Sequence, residues 1–89
     1  MQKITLTIQN KLGLHARAAM KLIDTASRFQ ARATLIFNGK QADGKDILQV
    51  MCLGAKLGNQ IDIEADGPDE ALSLQAIARL IANKFGEAE

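Results

Sequence analysis

Residues 4–26 read ITLTIQNKLGLHARAAMKLIDTA, and the spacing of the apolar side chains changes near the middle of this stretch. Ile4, Leu6 and Ile8 alternate with polar residues, which predicts a β-strand with one buried face. From residue 16 the spacing becomes helical, and one face collects Ala19, Leu22, Ile23 and Ala26. The opposite face carries the mostly basic stripe Arg17, Lys21, Asp24 and Arg28. The stretch therefore predicts a strand followed by an amphipathic helix.

The residues after this helix predict a tight hairpin. Residues 31–37 alternate apolar and polar side chains, as expected for a second strand. Asn38-Gly39 follows, and this pair is typical of a type I′ turn because both central positions of that turn need a positive φ. We therefore expect the second strand to turn directly into a third, short strand at about residues 40–43.

A short helix and a fourth strand are predicted next. Asp46 is a candidate N-cap and Gly54 a candidate stop for a helix over residues 47–53, although this apolar run also fits a β-strand. After a turn signal at residues 58–59, apolar residues alternate with acidic ones and predict a strand with an acidic outer face. Its inward residues are Ile61, Ile63 and Ala65.

The last predicted element is a helix that opens on Gly67-Pro68-Asp69-Glu70, with two acids near its positive end. Its predicted apolar face consists of Ala71, Leu74, Ala78, Ile81 and Phe85. The element order is then β-α-β-β-α-β-α. Helices covering one face of a four-stranded sheet would give an α+β fold in two layers.

Composition limits the classes of protein and of partner. The 89 residues, 47% of them hydrophobic and 24% charged, fit one folded domain over residues 1–89. The net charge of +1 gives no field that favours nucleic acid or an acidic membrane. Cys52 is the only cysteine, which excludes an internal disulfide and a structural zinc site, so no metal or cofactor is expected. Without a signal peptide or a long apolar run, a cytoplasmic protein with no membrane insertion is predicted.

The single histidine, His15, stands directly before the first predicted helix. The start of a helix leaves backbone N–H groups unpaired and concentrates positive charge, so it attracts an anion and disfavours a protonated imidazole. Arg17 adds a planar donor fork suited to phosphate oxygens, unless it only solvates the outer helix face. This combination favours phosphoryl chemistry at His15. Because no Walker-type sequence is present, we expect another protein to deliver the phosphoryl group.

The segment Gly13-Leu14-His15-Ala16-Arg17 matches the active-site motif of a known family, and the resemblance extends from the first strand to the last helix. The chain resembles HPr, the histidine-containing phosphocarrier of the bacterial phosphoenolpyruvate-dependent phosphotransferase system, including its nitrogen-regulatory relatives. The resemblance implies an open-faced β-sandwich with a four-stranded antiparallel sheet. It also implies that His15 takes a phosphoryl group on Nδ1 from Enzyme I and passes it to Enzyme IIA proteins, in sugar uptake or in nitrogen and carbon regulation. Such a chain is a monomeric carrier rather than a complete enzyme.

The same resemblance implies a docking surface beside the histidine. The apolar residues that would form it are Ala16, Met20, Ile47, Leu48 and Met51, with Arg17 and Lys21 next to them. The flexible methionines would suit a carrier that meets several partners. The alternative is that Leu48 and Val50 belong to the core and that only some of the others face partners.

Two departures from the family pattern concern this region. Ala18 stands where the family often has proline, which leaves one more backbone donor near the phosphate but a less constrained helix start. Asp46 occupies the position of the family's regulatory serine, so serine-kinase control is expected to be absent. Asp46 either only caps the second helix or also partly mimics a phosphoserine. Cys52, next to this surface, is predicted to be a small packing residue rather than a redox switch.

Two other function classes compete with the phosphocarrier. A regulatory module could use the same fold to dock on a target without transferring phosphate, but the presence of both His15 and Arg17 disfavours it. An RNA-binding α+β domain is disfavoured by the composition, with 3% aromatic residues and no tyrosine or tryptophan to stack on bases.

Overall fold

A computed structural model describes residues 1–88. Its elements follow the predicted order, with one additional short 3₁₀ turn at the C-terminal end. They are β1 Gln2–Thr7, α1 Ala16–Ala26, β2 Arg32–Phe37, β3 Lys40–Asp43, α2 Ile47–Cys52, β4 Gln60–Asp66, α3 Glu70–Ala82 and the 3₁₀ turn Lys84–Gly86. No helix in this part of the chain is long and apolar enough to cross a membrane.

The four strands form one antiparallel sheet in the order β1-β4-β2-β3. The pairing register places apolar residues opposite one another on the inner face: Ile4 opposite Ile63, Leu6 opposite Ile61, and Leu35 opposite both Ile63 and Ala42. This register places the apolar side chains on one face, where they are buried. A slip of one residue would turn them to the outside, so burial of this face fixes the register. The fold is the predicted open-faced β-sandwich, with the helices on the inner face and polar residues on the outer one.

The inward faces of the long helices complete the core. From α1 the buried residues are Ala18, Ala19, Leu22 and Ala26, and from α3 they are Ser73, Leu74, Ile77 and Ile81. The predicted face of α3 was wrong at two positions. Ala71 is exposed, and Phe85 is fully buried but lies beyond the helix, in the 3₁₀ turn. The helical spacing therefore found a core residue but placed it in the wrong element.

Two local predictions in the middle of the chain are confirmed. Asn38 and Gly39 have φ values of 54° and 80°, the positive pair that a type I′ turn requires. Asp46 is the N-cap of α2, where its carboxylate accepts hydrogen bonds from the backbone N–H groups of Leu48 and Gln49. The helical interpretation of this segment is correct, and the strand alternative is not.

Asp69 occupies the N-cap position of α3, but its carboxylate does not cap that helix. Instead the two oxygens accept hydrogen bonds from the backbone N–H groups of Gln30 at 2.9 Å and Ala31 at 2.8 Å. The Gln30 bond, with the Ala31 bond adding to it, holds the pKa of Asp69 below its usual value. Asp69 therefore joins the start of α3 to the segment that leads into β2.

Candidate functional site

A tight loop between β1 and α1 carries the histidine. Gly13 has φ +66° and lies so close to the facing loop that a Cβ added to it would stand 2.6 Å from the carbonyl oxygen of Ala55. The next residue, Leu14, is buried and donates its backbone N–H to the same oxygen at 3.1 Å. Only glycine fits this combination of left-handed backbone and close approach. The loop is thus fixed immediately before His15.

His15 is the N-cap residue of α1, as the sequence predicted. Its backbone is extended, its carbonyl oxygen accepts the N–H of Ala19 at 2.8 Å, and its side chain makes no cap bond. Within residues 1–88 the first turn of α1 contains no acidic residue and no capping side chain. The first backbone N–H groups of the helix, including that of Ala18, therefore receive no side-chain cap and remain available to an anion.

The imidazole of His15 is held by an acidic side chain from the other end of the chain. The ring Nε2 and the Oε2 atom of Glu87 are 2.6 Å apart, and both side chains are largely buried. An ionised carboxylate only accepts hydrogen bonds, so in the neutral imidazole it selects the tautomer that carries its proton on Nε2. In this form the lone pair on Nδ1 is free. Nδ1 has no hydrogen-bond partner among residues 1–88.

Three contacts hold this C-terminal segment in place. Asn10 donates from Nδ2 to Oε1 of Glu87 at 3.3 Å, and Lys21 donates from Nζ to the carbonyl oxygen of Phe85 at 2.6 Å. The fully buried ring of Phe85 anchors the segment in the core. The hydrogen bond from His15, aided by that from Asn10, holds the pKa of Glu87 below its usual value. Glu87 is therefore ionised at neutral pH.

Sequence reasoning missed Glu87 and the role of Asn10. Glu87 lies 72 residues after His15, in a short polar tail without any motif. The turn that brings it back has three consecutive positive φ values, at Lys84, Phe85 and Gly86. Only the glycine is a residue type that signals such a backbone. Asn10 offered one signal in the sequence, because it is a polar residue at a position that continues the inward alternation of β1. In the structure it is fully buried.

Arg17 lies on the exposed side of the first turn of α1. Within residues 1–88 its guanidinium has no hydrogen bond or ion pair, unlike the neighbouring Lys21, whose ammonium group is bonded to the C-terminal segment. A guanidinium in this position has all its donors available for an incoming anion. The two cations next to the histidine therefore differ: Arg17 faces solvent, and Lys21 is half-buried and already paired.

The predicted docking residues come together because α1 packs against α2. Three of them are large exposed apolar side chains: Met20 at 60%, Leu48 at 71% and Met51 at 38% exposure. Ala16 is also exposed and Ile47 is partly buried. Ala16, Arg17, Met20, Lys21 and Asp24 line a shallow groove of about 700 Å³ on α1. We call the surface formed by Ala16, Met20, Ile47, Leu48 and Met51 the α1–α2 face.

The structure shows which residues of α2 are buried, a question that the sequence left open for Leu48 and Val50. Val50 is fully buried, whereas Leu48 is exposed and does not belong to the core. The prediction that Cys52 is a packing residue was wrong, because its side chain is exposed. It lines an open cleft of about 260 Å³ with Lys40, Gln41, Leu48, Gln49 and Leu53. The helix has only six residues, so tertiary packing rather than periodicity decides which of its side chains face water.

Comparison with known proteins shows to which family the sequence is similar. A family model described as the phosphotransferase-system HPr component phosphorylation site matches residues 2–83. The phosphocarrier protein HPr of Cupriavidus necator is 49% identical over 83 residues, which cover 93% of both chains. That of Neisseria meningitidis serogroup B is 44% identical over the full length of both chains.

Solved structures show the same relationship at the level of the fold. The crystal structure of HPr-C-His from Thermoanaerobacter tengcongensis has a TM-score of 0.96 and 38% sequence identity, and the match covers both chains completely. The histidine-containing phosphocarrier protein of a mycoplasma has a TM-score of 0.86 and 40% identity over 93% of this chain and 96% of that one. Sequence, fold and the histidine at the start of α1 lead to one conclusion: the chain belongs to the HPr family of phosphocarriers of the phosphotransferase system.

Proposed function

We propose that the chain accepts a phosphoryl group on Nδ1 of His15 from phosphorylated Enzyme I and passes it to Enzyme IIA proteins. In this role it is a covalent carrier, not a stand-alone catalyst. We further propose that residues 1–89 act as one domain and that the protein works in the cytoplasm as a monomer that exchanges partners. The observation that carries the proposal is the contact between Nε2 of His15 and Glu87, which leaves Nδ1 as the free nucleophile.

The transfer step follows from this ring form. The lone pair on Nδ1 attacks phosphorus, and the P–N bond forms as the bond between phosphorus and the donor enzyme breaks. No proton has to leave Nδ1, because the ring proton is already on Nε2. The ring becomes positively charged in the product, and the Glu87 carboxylate at 2.6 Å stabilises that charge through the Nε2 proton. The reverse reaction delivers the group to the acceptor.

The start of α1 would bind the phosphoryl oxygens. The transition state spreads negative charge over three oxygens, and positioned donors stabilise it without moving. The free backbone N–H groups of the first turn supply one set of donors, and the N–H of Ala18 belongs to it where a proline would supply none. The exposed guanidinium of Arg17 supplies the second set. Its planar fork matches two phosphate oxygens, which a lysine ammonium does not reproduce.

The α1–α2 face would bind the partner proteins next to the phosphoryl group. Exposed large apolar side chains beside a reactive group are typical of an interaction surface. Met20 and Met51 are flexible enough to fit more than one partner, as a carrier between Enzyme I and several acceptors requires. Arg17 would add a charge at the edge of the contact, while Lys21 keeps its bond to Phe85.

Asp46 would make this chain independent of regulation by serine phosphorylation, because no hydroxyl is present at that position. Its bonds to Leu48 and Gln49 support the role of helix cap. A further role as a phosphoserine mimic predicts that Asp46→Ser increases the affinity for Enzyme I. An unchanged affinity in a titration of Enzyme I with this variant would leave the cap as its only role.

Intact mass spectrometry tests the proposed function. The protein is incubated with Enzyme I, phosphoenolpyruvate and Mg²⁺ in parallel with His15→Ala. One acid-labile phosphoryl group on the parent and none on the variant is the expected result. A parent protein that binds a competent Enzyme I but gains no phosphoryl group would instead indicate a docking module.

A further inference from the structure

Asn10 is a fully buried polar residue in a region where the other buried residues are apolar. Its Nδ2 group has two N–H bonds to offer, and each finds an acceptor. One donates to the carbonyl oxygen of Gly13 at 2.8 Å, and the other donates to Oε1 of Glu87 at 3.3 Å. The same carboxylate receives the His15 ring on its second oxygen. Asn10 thus touches both the loop before His15 and the carboxylate that holds its ring.

The oxygen of the same side-chain amide, Oδ1, is buried and makes no hydrogen bond to the described residues. A buried polar atom without a partner is unfavourable, so Asn10 is a poor residue for packing alone. Reversing the amide would put this oxygen against the Gly13 oxygen and the Glu87 carboxylate, which the donor group now satisfies. What Asn10 contributes at this position is the pair of donors.

We propose that Asn10 is a positioning residue for His15, which acts by holding the Glu87 carboxylate against Nε2 of the ring. This inference rests on the proposed function, because it concerns how His15 is prepared to accept a phosphoryl group. Asn10 is fully buried, so it does not touch a docked partner. Its bond to Gly13 ties the His15 loop, and its bond to Glu87 orients the C-terminal segment relative to that loop. The carboxylate then presents Oε2 to the ring in one orientation.

The position of the Glu87 side chain explains why such a support is needed. Glu87 follows the left-handed turn at residues 84–86, outside any helix or strand. Phe85 and Lys21 fix the backbone of this segment, but neither bonds to the carboxylate of Glu87. The charged side chain of Lys21 attracts it only at longer range. Among residues 1–88, the hydrogen bonds that orient this carboxylate come from Asn10 and from the ring itself.

A double-mutant cycle tests the proposal. The variants are Asn10→Ala, Glu87→Ala and the double variant, and the readout is the steady-state phosphorylation by Enzyme I. We expect Asn10→Ala to lower the kcat of Enzyme I with this chain as substrate about threefold to tenfold, the loss that corresponds to one hydrogen bond, and to leave the KM for the chain unchanged. In the Glu87→Ala background the same change should have no further effect. An equal loss in both backgrounds would overturn the proposal, since Asn10 would then act through Gly13 alone.

Asn59→Ala provides the matched control. The side chain of Asn59 also closes a loop, by accepting the backbone N–H of Lys56 at 2.8 Å, but it does not contact His15 or Glu87. We expect this variant to be less stable than the parent but to keep its kcat. If Asn59→Ala lowered kcat as much as Asn10→Ala, general loosening of the loops would explain the effect and the proposal would fail.

Nuclear magnetic resonance tests the contact without any substitution at Asn10 and without Enzyme I. In the parent, the side-chain amide resonance of Asn10 should shift with the same pH midpoint as the carboxyl carbon of Glu87, and this shift should vanish in Glu87→Ala. An amide resonance that ignores the Glu87 titration would overturn the proposal. Because this experiment needs no phosphoryl transfer, its outcome is separate from that of the proposed function.

Discussion

The close approach at Gly13 allows a quantitative prediction about the loop that carries the histidine. An alanine at this position meets two costs. The left-handed backbone at φ +66° costs about 1–2 kcal/mol for a residue with a Cβ. The new Cβ would also stand 2.6 Å from the Ala55 carbonyl oxygen and 2.8 Å from the Cα of Lys56, and overpacking of this kind adds about 1–3 kcal/mol. Gly13→Ala should therefore lower the free energy of unfolding by about 2–5 kcal/mol.

Gly54→Ala separates the two costs. Gly54 has nearly the same backbone, with φ +71°, but a Cβ added there meets no atom within 4 Å. This variant should lose only about 1–2 kcal/mol. Urea unfolding followed by circular dichroism measures both values, and phosphorylation by Enzyme I should fall further in Gly13→Ala because the loop must shift. Equal losses of stability in the two variants would refute the argument that the facing loop requires a glycine at position 13.

Three further perturbations test other parts of the structure. Asp46→Ala removes the cap of α2 and should lower the free energy of unfolding, measured in urea, by about 1 kcal/mol, while His15 still accepts a phosphoryl group. An unchanged stability would contradict the capping role. The Gln30 bond lowers the pKa of Asp69, so it stabilises the fold above about pH 4, and this contribution is lost as the pH falls through the lowered pKa. Urea unfolding should therefore show that Asp69→Asn is less stable than the parent at pH 7 and declines less in stability as the pH falls below about 4. Leu48→Asp on the α1–α2 face should weaken Enzyme I binding about tenfold or more in calorimetry. The control is Leu72→Asp, at a leucine that is 59% exposed on α3, and this variant should bind normally. Equal binding by both variants would exclude Leu48 from the interface.

The sequence predicts well where a local pattern has a single structural solution. Alternation in β1 and β4, the Asn38-Gly39 turn and the Asp46 cap are of this kind, because each depends on residues close in the chain. The position of His15 at the start of α1 follows in the same way from the change of period at residue 16. These local signals are sufficient to give the element order.

The parts that the sequence does not predict depend on distant contacts. The C-terminal segment is a short polar tail in the sequence, and only the anchoring of Phe85 and the bond from Lys21 turn it back onto His15. Helical spacing assigned Phe85 to α3, since residues 81 and 85 are one turn apart, but the backbone becomes left-handed before that turn is complete. The exposure of Cys52 likewise depends on how a six-residue helix sits on the sheet.

The ring nitrogen that carries the phosphoryl group tests the central claim most directly. The protein is labelled with ¹⁵N in its single histidine, phosphorylated by Enzyme I and phosphoenolpyruvate, and examined by ¹⁵N and ³¹P nuclear magnetic resonance. The contact between Glu87 and Nε2 predicts a phosphorus coupled to Nδ1 and a proton on Nε2. A phosphoryl group on Nε2, or on a residue other than His15, would contradict the account.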